Sequence, residues 1–164
     1  YVCAGLMGSL LSGYMNIQDS YSLIEGGVAN PDLLPAVSAG ASGAVMGLGA
    51  SLTVLALLPM LPQQRFILDK KTLVTVMGLN LALGFMISGI NNAAHIGGML
   101  MGAFLTLLWY IGQKMQRSHL FNLIALLVGF GLCVLLYQHN LALLEPIRPL
   151  WQEILEMMQQ QLKL

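Results

Sequence analysis

Long apolar stretches separated by short polar clusters dominate the chain. Residues 1–18, 33–64, 72–113 and 118–144 carry no Asp, Glu, Lys or Arg. A helix that crosses a bilayer needs about 20 apolar residues. The stretch 72–113 is long enough for two, and Ser88-Gly89-Ile90-Asn91-Asn92 is the natural break inside it. The pattern therefore predicts five hydrophobic helices, at roughly 1–15, 42–60, 73–88, 93–113 and 119–137. After Leu141 the pattern changes. Pro146 and Pro149 interrupt it, and then Trp151, Ile154, Leu155, Met158 and Leu162 recur at helical spacing among Gln and Glu residues. That spacing predicts an amphipathic helix lying at an interface or on a partner.

Composition narrows the class. Of 164 residues, 57% are hydrophobic and only 9% charged, against about a quarter in soluble domains. Seven Lys and Arg balance seven Asp and Glu, so no nucleic-acid partner is implied. Both cysteines lie in apolar runs, which argues against a disulfide scaffold or a thiolate metal site. These figures describe an integral, multi-pass membrane protein of all-α class, a polytopic transmembrane helix bundle. No basic n-region marks a signal peptide. The start at Tyr1, already inside an apolar run, is read as a fragment of a longer protein.

Loop charges set an orientation. Arg65, Lys70 and Lys71 lie between the second and third helices, and Lys114 and Arg117 between the fourth and fifth. The 16–41 loop has Asp19, Glu25 and Asp32 but no base. Basic loops stay cytoplasmic, so 16–41, the Gly89–Asn92 turn and the tail after Tyr137 are expected to face outward.

Most polar positions have ordinary uses. Asn80, mid-helix, is expected to hydrogen-bond a neighbouring helix. Ser51, Thr53, Thr75 and Thr106 can bond their own backbone carbonyls, and His119 and His139 fall at expected helix ends. Two sites differ. Ser38-Ala39-Gly40-Ala41-Ser42-Gly43-Ala44 enters the second helix from the outer side, and Asn91-Asn92-Ala93-Ala94-His95-Ile96-Gly97-Gly98 enters the fourth from the same side. Ser42 and His95 are thus expected at similar shallow depth. A histidine inside a membrane helix is a functional candidate by default.

Glycine spacing supports their meeting. His95, Gly98 and Gly102 share one helical stripe, and Gly43 and Gly47 form a small-xxx-small pair beside Ser42. Close crossing would let an imidazole reach a serine hydroxyl and take its proton during attack. Ser42 at a helix start would offer its own backbone N–H, and the positive end of the helix dipole, to a developing oxyanion. Asp32, the nearest acid in sequence, sits in the outer loop, so the expectation is a dyad and not a triad. No second ligand stands at metal spacing from His95, and no nucleotide-binding loop or cofactor motif is present.

Gly40-Ala41-Ser42-Gly43 resembles the nucleophile motif of the rhomboid intramembrane serine proteases. Asn92-Ala93-Ala94-His95-Ile96-Gly97-Gly98, with Gly102 one turn on, resembles that family's histidine motif, and Leu10-Leu11-Ser12-Gly13-Tyr14 is similar to the helix before its active-site loop. The resemblance covers residues 1–115. It implies a rhomboid-like fold with four core helices present, an added membrane helix at 116–140 and an interfacial tail at 141–164. It also implies Ser42 as nucleophile, His95 as base, and Gly40, Gly43, Gly47, Gly98 and Gly102 as packing residues near the site. The implied substrates are transmembrane helices of membrane proteins, cut near the outer surface of the bilayer. The implied location is a bacterial cytoplasmic membrane with the site facing outward. The third helix and the Gly89–Asn92 turn would correspond to the family's gate and cap.

Three departures are visible. The family core has six helices, and the first two, one bearing a His-x-x-x-Asn pair that helps hold the oxyanion, are expected upstream of Tyr1. On that reading the fragment is expected to be inactive alone and the full protein active. The position one turn after the nucleophile, often aromatic, is Met46. The helix at 119–137 is additional. The alternatives are a rhomboid-like pseudoprotease that binds membrane clients without cleavage, and a transporter fragment with solute sites at its Gly-rich helix starts.

Overall fold

The computed structural model describes residues 1–25, 41–62, 64–65, 67–87 and 91–161. They form a bundle of helices with no strand among the described residues: α1 (Val2–Glu25), α2 (Ser42–Leu57), α3 (Lys70–Met86), α4 (Asn92–Lys114), α5 (Ser118–Leu144) and α6 (Arg148–Gln161). The expected helices are all present, and most ends have a local cause. The α1 helix runs well past residue 15 because neither Gly nor Pro follows Gly13 before its end. Its polar second half bonds itself, Ser20 Oγ donating to Asn16 O at 3.0 Å and Ser22 Oγ to Asp19 O at 2.8 Å. The α2 helix stops short of residue 60. Pro59 excludes the helical conformation from the residue before it, and Leu58 is extended at φ −88°, ψ 155°.

The α3 helix starts at Lys70, not at 73. Asp69 caps it, accepting from Lys71 N at 3.0 Å and from Thr72 Oγ1 at 2.6 Å. The α5 helix continues past 137 to Leu144, since no breaker precedes Pro146. His139 is therefore inside the helix, not at its end, with its ring 5.8 Å from that of Tyr14. In α6 Pro149 falls in the first turn, where its missing N–H costs nothing.

The packing is inside out relative to a water-soluble protein. The buried positions are mostly small: Ala4, Gly8, Gly43, Ala44, Gly47, Ala50, Ala94, Gly97, Gly98 and Gly102. Large apolar side chains point outward, including Leu123, Leu126, Leu127, Phe130 and Leu135 along α5. Lipid tails are as apolar as leucine, so a membrane bundle gains from close backbone approach and not from hiding leucines. Two helices, Asn92–Lys114 and Ser118–Leu144, are each long and apolar enough to cross a bilayer. The α1 helix is diluted by its polar second half, and α2 and α3 are 16 and 17 residues long. Asn80 departs from expectation: its Nδ2 donates to Val76 O at 2.8 Å on its own helix and the side chain is exposed.

The α4 helix is central, packing on α1, α2 and α5. Its far end is tied down by Tyr110, whose hydroxyl donates to Pro59 O at 2.9 Å.

Candidate active site

Ser42 is the first residue of α2 and is exposed. The residue before it, Ala41, has no side-chain group that could cap the helix. The opening N–H groups of a helix have no intrahelical acceptor. Here the capping residue leaves them open, with the positive end of the helix dipole behind them.

His95 lies in the first turn of α4, only 9% exposed. Its helix start is held twice by one residue. Asn91 Oδ1 accepts from Ala94 N at 3.0 Å, the usual N-cap bond. Asn91 Nδ2 donates to Ser12 Oγ, and Ser12 is 2% exposed on α1. The amide thus caps α4 and tethers it to α1. His95 Nδ1 is buried without a hydrogen-bond partner among the described residues, as is Asn92 Oδ1 one turn before it.

Glycines bring the two helix starts together. A Cβ on Gly43 would stand 2.9 Å from Ala94 O, and one on Gly47 would stand 2.8 Å from Gly98 O. In return, a Cβ on Gly98 would overlap the Gly43 carbonyl, and one on Gly102 the Gly47 carbonyl. Each helix therefore lays its backbone against the other's, the close approach that small residues allow. Ser51 seals the seam further along, its hydroxyl lying 2.8 Å from Gly47 O and 3.1 Å from Gly102 O. Ser42 and His95 each stand one residue from the Gly43–Ala94 contact. Among the described residues no hydrogen bond joins their side chains.

Of the other positions expected at the site, Gly43, Gly47, Gly98 and Gly102 form this seam. Gly40, Asp32 and residues 88–90 of the expected cap lie outside the described residues. Met46 is buried in a cluster with Ala50 and Met77. Among the described residues no group of three His, Cys, Asp or Glu could hold a metal ion. The role of α1 was not anticipated. Gly8 backs onto the same place, where its Cβ would stand 2.5 Å from Ala94 O, and Gly97 lies on the backbone of Met7 and Gly8. The signal is in the sequence: Ala4, Gly8 and Ser12 recur every fourth residue as a small-residue stripe.

Comparison with known proteins bears on the family of the chain. The family model of the Rhomboid domain matches residues 1–112. The chain is 36% identical over 141 residues to rhomboid protease GluP of Bacillus subtilis (strain 168), a match covering 79% of this chain and 26% of that protein. It is 24% identical over 173 residues to rhomboid protease AarA of Providencia stuartii, covering 94% of this chain and 58% of that one. The chain thus spans about a quarter of one curated relative and somewhat over half of the other. No solved structure matches at the same stringency.

Proposed function

We propose, because the chain belongs to the rhomboid family, that it carries the nucleophile and the base of an intramembrane serine endopeptidase. It is a membrane protein, and both relatives are named as proteases. In this reading Ser42 Oγ attacks the scissile carbonyl carbon while His95 takes the hydroxyl proton. The carbonyl oxygen becomes an oxyanion, met by the open Ser42 N–H at the head of α2. Collapse of the tetrahedral intermediate breaks the C–N bond, and His95 gives its proton to the leaving amine. Water, deprotonated by the same ring, then hydrolyses the acyl-serine.

The single observation that carries the reading is the Gly43–Ala94 contact. It holds a helix start bearing an exposed serine against one bearing a buried histidine. The proposed substrates are transmembrane helices of other membrane proteins, presented near the outer surface. The basic residues of the α2–α3 and α4–α5 turns favour that face for the site, and the bacterial source of both relatives favours a bacterial cytoplasmic membrane for the protein.

The test is cleavage of a transmembrane substrate by full-length protein in proteoliposomes, with fluorophosphonate labelling alongside. Ser42→Ala and His95→Ala are each expected to abolish both signals while thermal unfolding stays cooperative. Cleavage by folded Ser42→Ala at the parent rate would remove the proposal.

A further inference from the structure

The described side-chain atoms that are buried without a partner fall at two places. Asn92 Oδ1 and His95 Nδ1 belong to the site above. Asn140 Oδ1 and Trp151 Nε1 do not. Both of these residues line one cavity of about 280 Å³ between α1, α5 and α6. Asn140 is 8% exposed, and its other amide atom is committed, Nδ2 donating to Leu10 O at 2.8 Å. The unpartnered buried atoms of its lining residues are thus one acceptor, Asn140 Oδ1, and one donor, the Trp151 indole N–H, with Ser9 and Asn16 also on the wall. Leu10, Ile17, Tyr137 and Leu141 supply apolar walls, and no charged residue lines the space.

We propose that this cavity binds the free hydroxyl of a neutral, hydroxyl-headed membrane lipid of the diacylglycerol class. A hydroxyl donates once and accepts from a second partner, so one such group carries the complement of each orphan atom. An ester or ether oxygen has no proton for Asn140, and an ammonium has no lone pair for Trp151. A phosphate would bring a charge into a space with no counter-charge, at heavy desolvation cost. The volume, just under the range of drug-sized pockets, suits a head group and the first part of a chain. Tryptophan is also the residue most at home at head-group depth.

The position gives the site a route to His95. Leu10 and Gly13 of α1 line the cavity, and Ser12 between them is the residue tethered to Asn91 at the start of α4. The cavity therefore lies at the end of the bundle that holds His95. Its test needs no hydrolysis.

The experiment uses full-length protein in phosphatidylcholine nanodiscs containing a photoactivatable diacylglycerol, with labelled peptides mapped by mass spectrometry. Labelling is expected on α1, α5 and α6, competed by unlabelled diacylglycerol but not by its O-methyl ether. Trp151→Phe, which keeps an aromatic ring and removes the N–H, is expected to cut labelling by about fivefold or more, and Asn140→Leu by at least as much. Because Asn140→Leu also loses the bond to Leu10, Trp151→Phe decides if that variant fails to fold. Equal competition by the O-methyl ether, labelling elsewhere, or unchanged labelling in Trp151→Phe would overturn the proposal. Water alone filling the site would leave these helices without labelling that diacylglycerol competes, and would overturn it too.

Discussion

Gly43 on α2 and Ala94 on α4 touch backbone to backbone: a Cβ on the glycine would stand 2.9 Å from the Ala94 carbonyl oxygen. Their sequence neighbours are Ser42 and His95. The contact sets the level at which the two helices meet, so the geometry proposed for hydrolysis depends on the glycines of this seam as well as on the serine and the histidine.

Gly98→Ala tests that dependence. The new Cβ would overlap the Gly43 carbonyl, which is backbone and cannot swing aside. Overpacking of this kind costs about 1–3 kcal/mol, and a shift of about 1 Å at a reacting pair can cost ~10²-fold in rate. Gly131→Ala on α5 is the control, since a Cβ there meets nothing within 4 Å. It is expected to be neutral, or stabilising by up to about 1 kcal/mol through helix propensity. Thermal unfolding and substrate cleavage of the two variants, measured side by side, check the contrast.

Asn91→Ala removes two bonds together, the cap to Ala94 N and the tether to Ser12. The cap is worth about 1 kcal/mol and an interhelical bond in a membrane bundle about 0.6. A loss of roughly 1.5 kcal/mol is therefore expected, with cleavage falling further than stability because His95 sits in the turn that loosens. Ser12→Ala keeps the cap and should lose only the smaller part. If Asn91→Ala and Ser12→Ala unfold at the same temperature, the cap contributes nothing measurable.

Much of this was legible in the chain. Charge-free stretches gave each helix, because long helices in lipid must exclude charge, and Ser42 and His95 stood out as polar groups at glycine-lined helix starts. Helix ends were less legible where the stop signal is a single side chain. Asp69 caps α3 three residues before the apolar run begins, and Pro59 ends α2 while the apolar pattern continues. Asn91 falls in the break between two apolar runs, and its double role depends on Ser12, which is 79 positions away. No local pattern reports such a partner. The Ala4–Gly8–Ser12 stripe was readable, but next to the Gly43 and Gly98 motifs it carried no chemistry of its own.

The α3 cap predicts a pH effect. Hydrogen bonds from the Thr72 hydroxyl and the Lys71 backbone N–H hold the Asp69 carboxyl below the usual carboxylate range. A lowered folded value means the cap stabilises above the unfolded value and is lost as pH falls through the folded one. Protection of the Lys71–Leu73 amides, with exchange normalised to the intrinsic rate at each pH, is expected to fall on acidification through that window. In Asp69→Asn, which keeps an acceptor without a titrating proton, that fall is expected to vanish. Its persistence there would assign the pH effect to another group.

The uncapped start of α2 gives the sharpest separation of stability from activity. Ala41 provides no cap, although Asp or Ser there would be the ordinary choice for a stable helix. Ala41→Asp puts a carboxylate beside the open N–H groups and the positive dipole end. A negative charge so placed is worth about 0.3–1 kcal/mol, so the variant is expected to unfold at a slightly higher temperature. The same N–H groups are the donors proposed for the oxyanion, and an anion already lying against them competes with the one that must form. Losing a single such donor typically costs 10²–10³ in turnover, and a fall of about a hundredfold in cleavage is expected. Fluorophosphonate labelling, whose transition state also builds charge at this point, should fall with it. A variant both more stable and fully active would mean that the head of α2 is not where the charge develops.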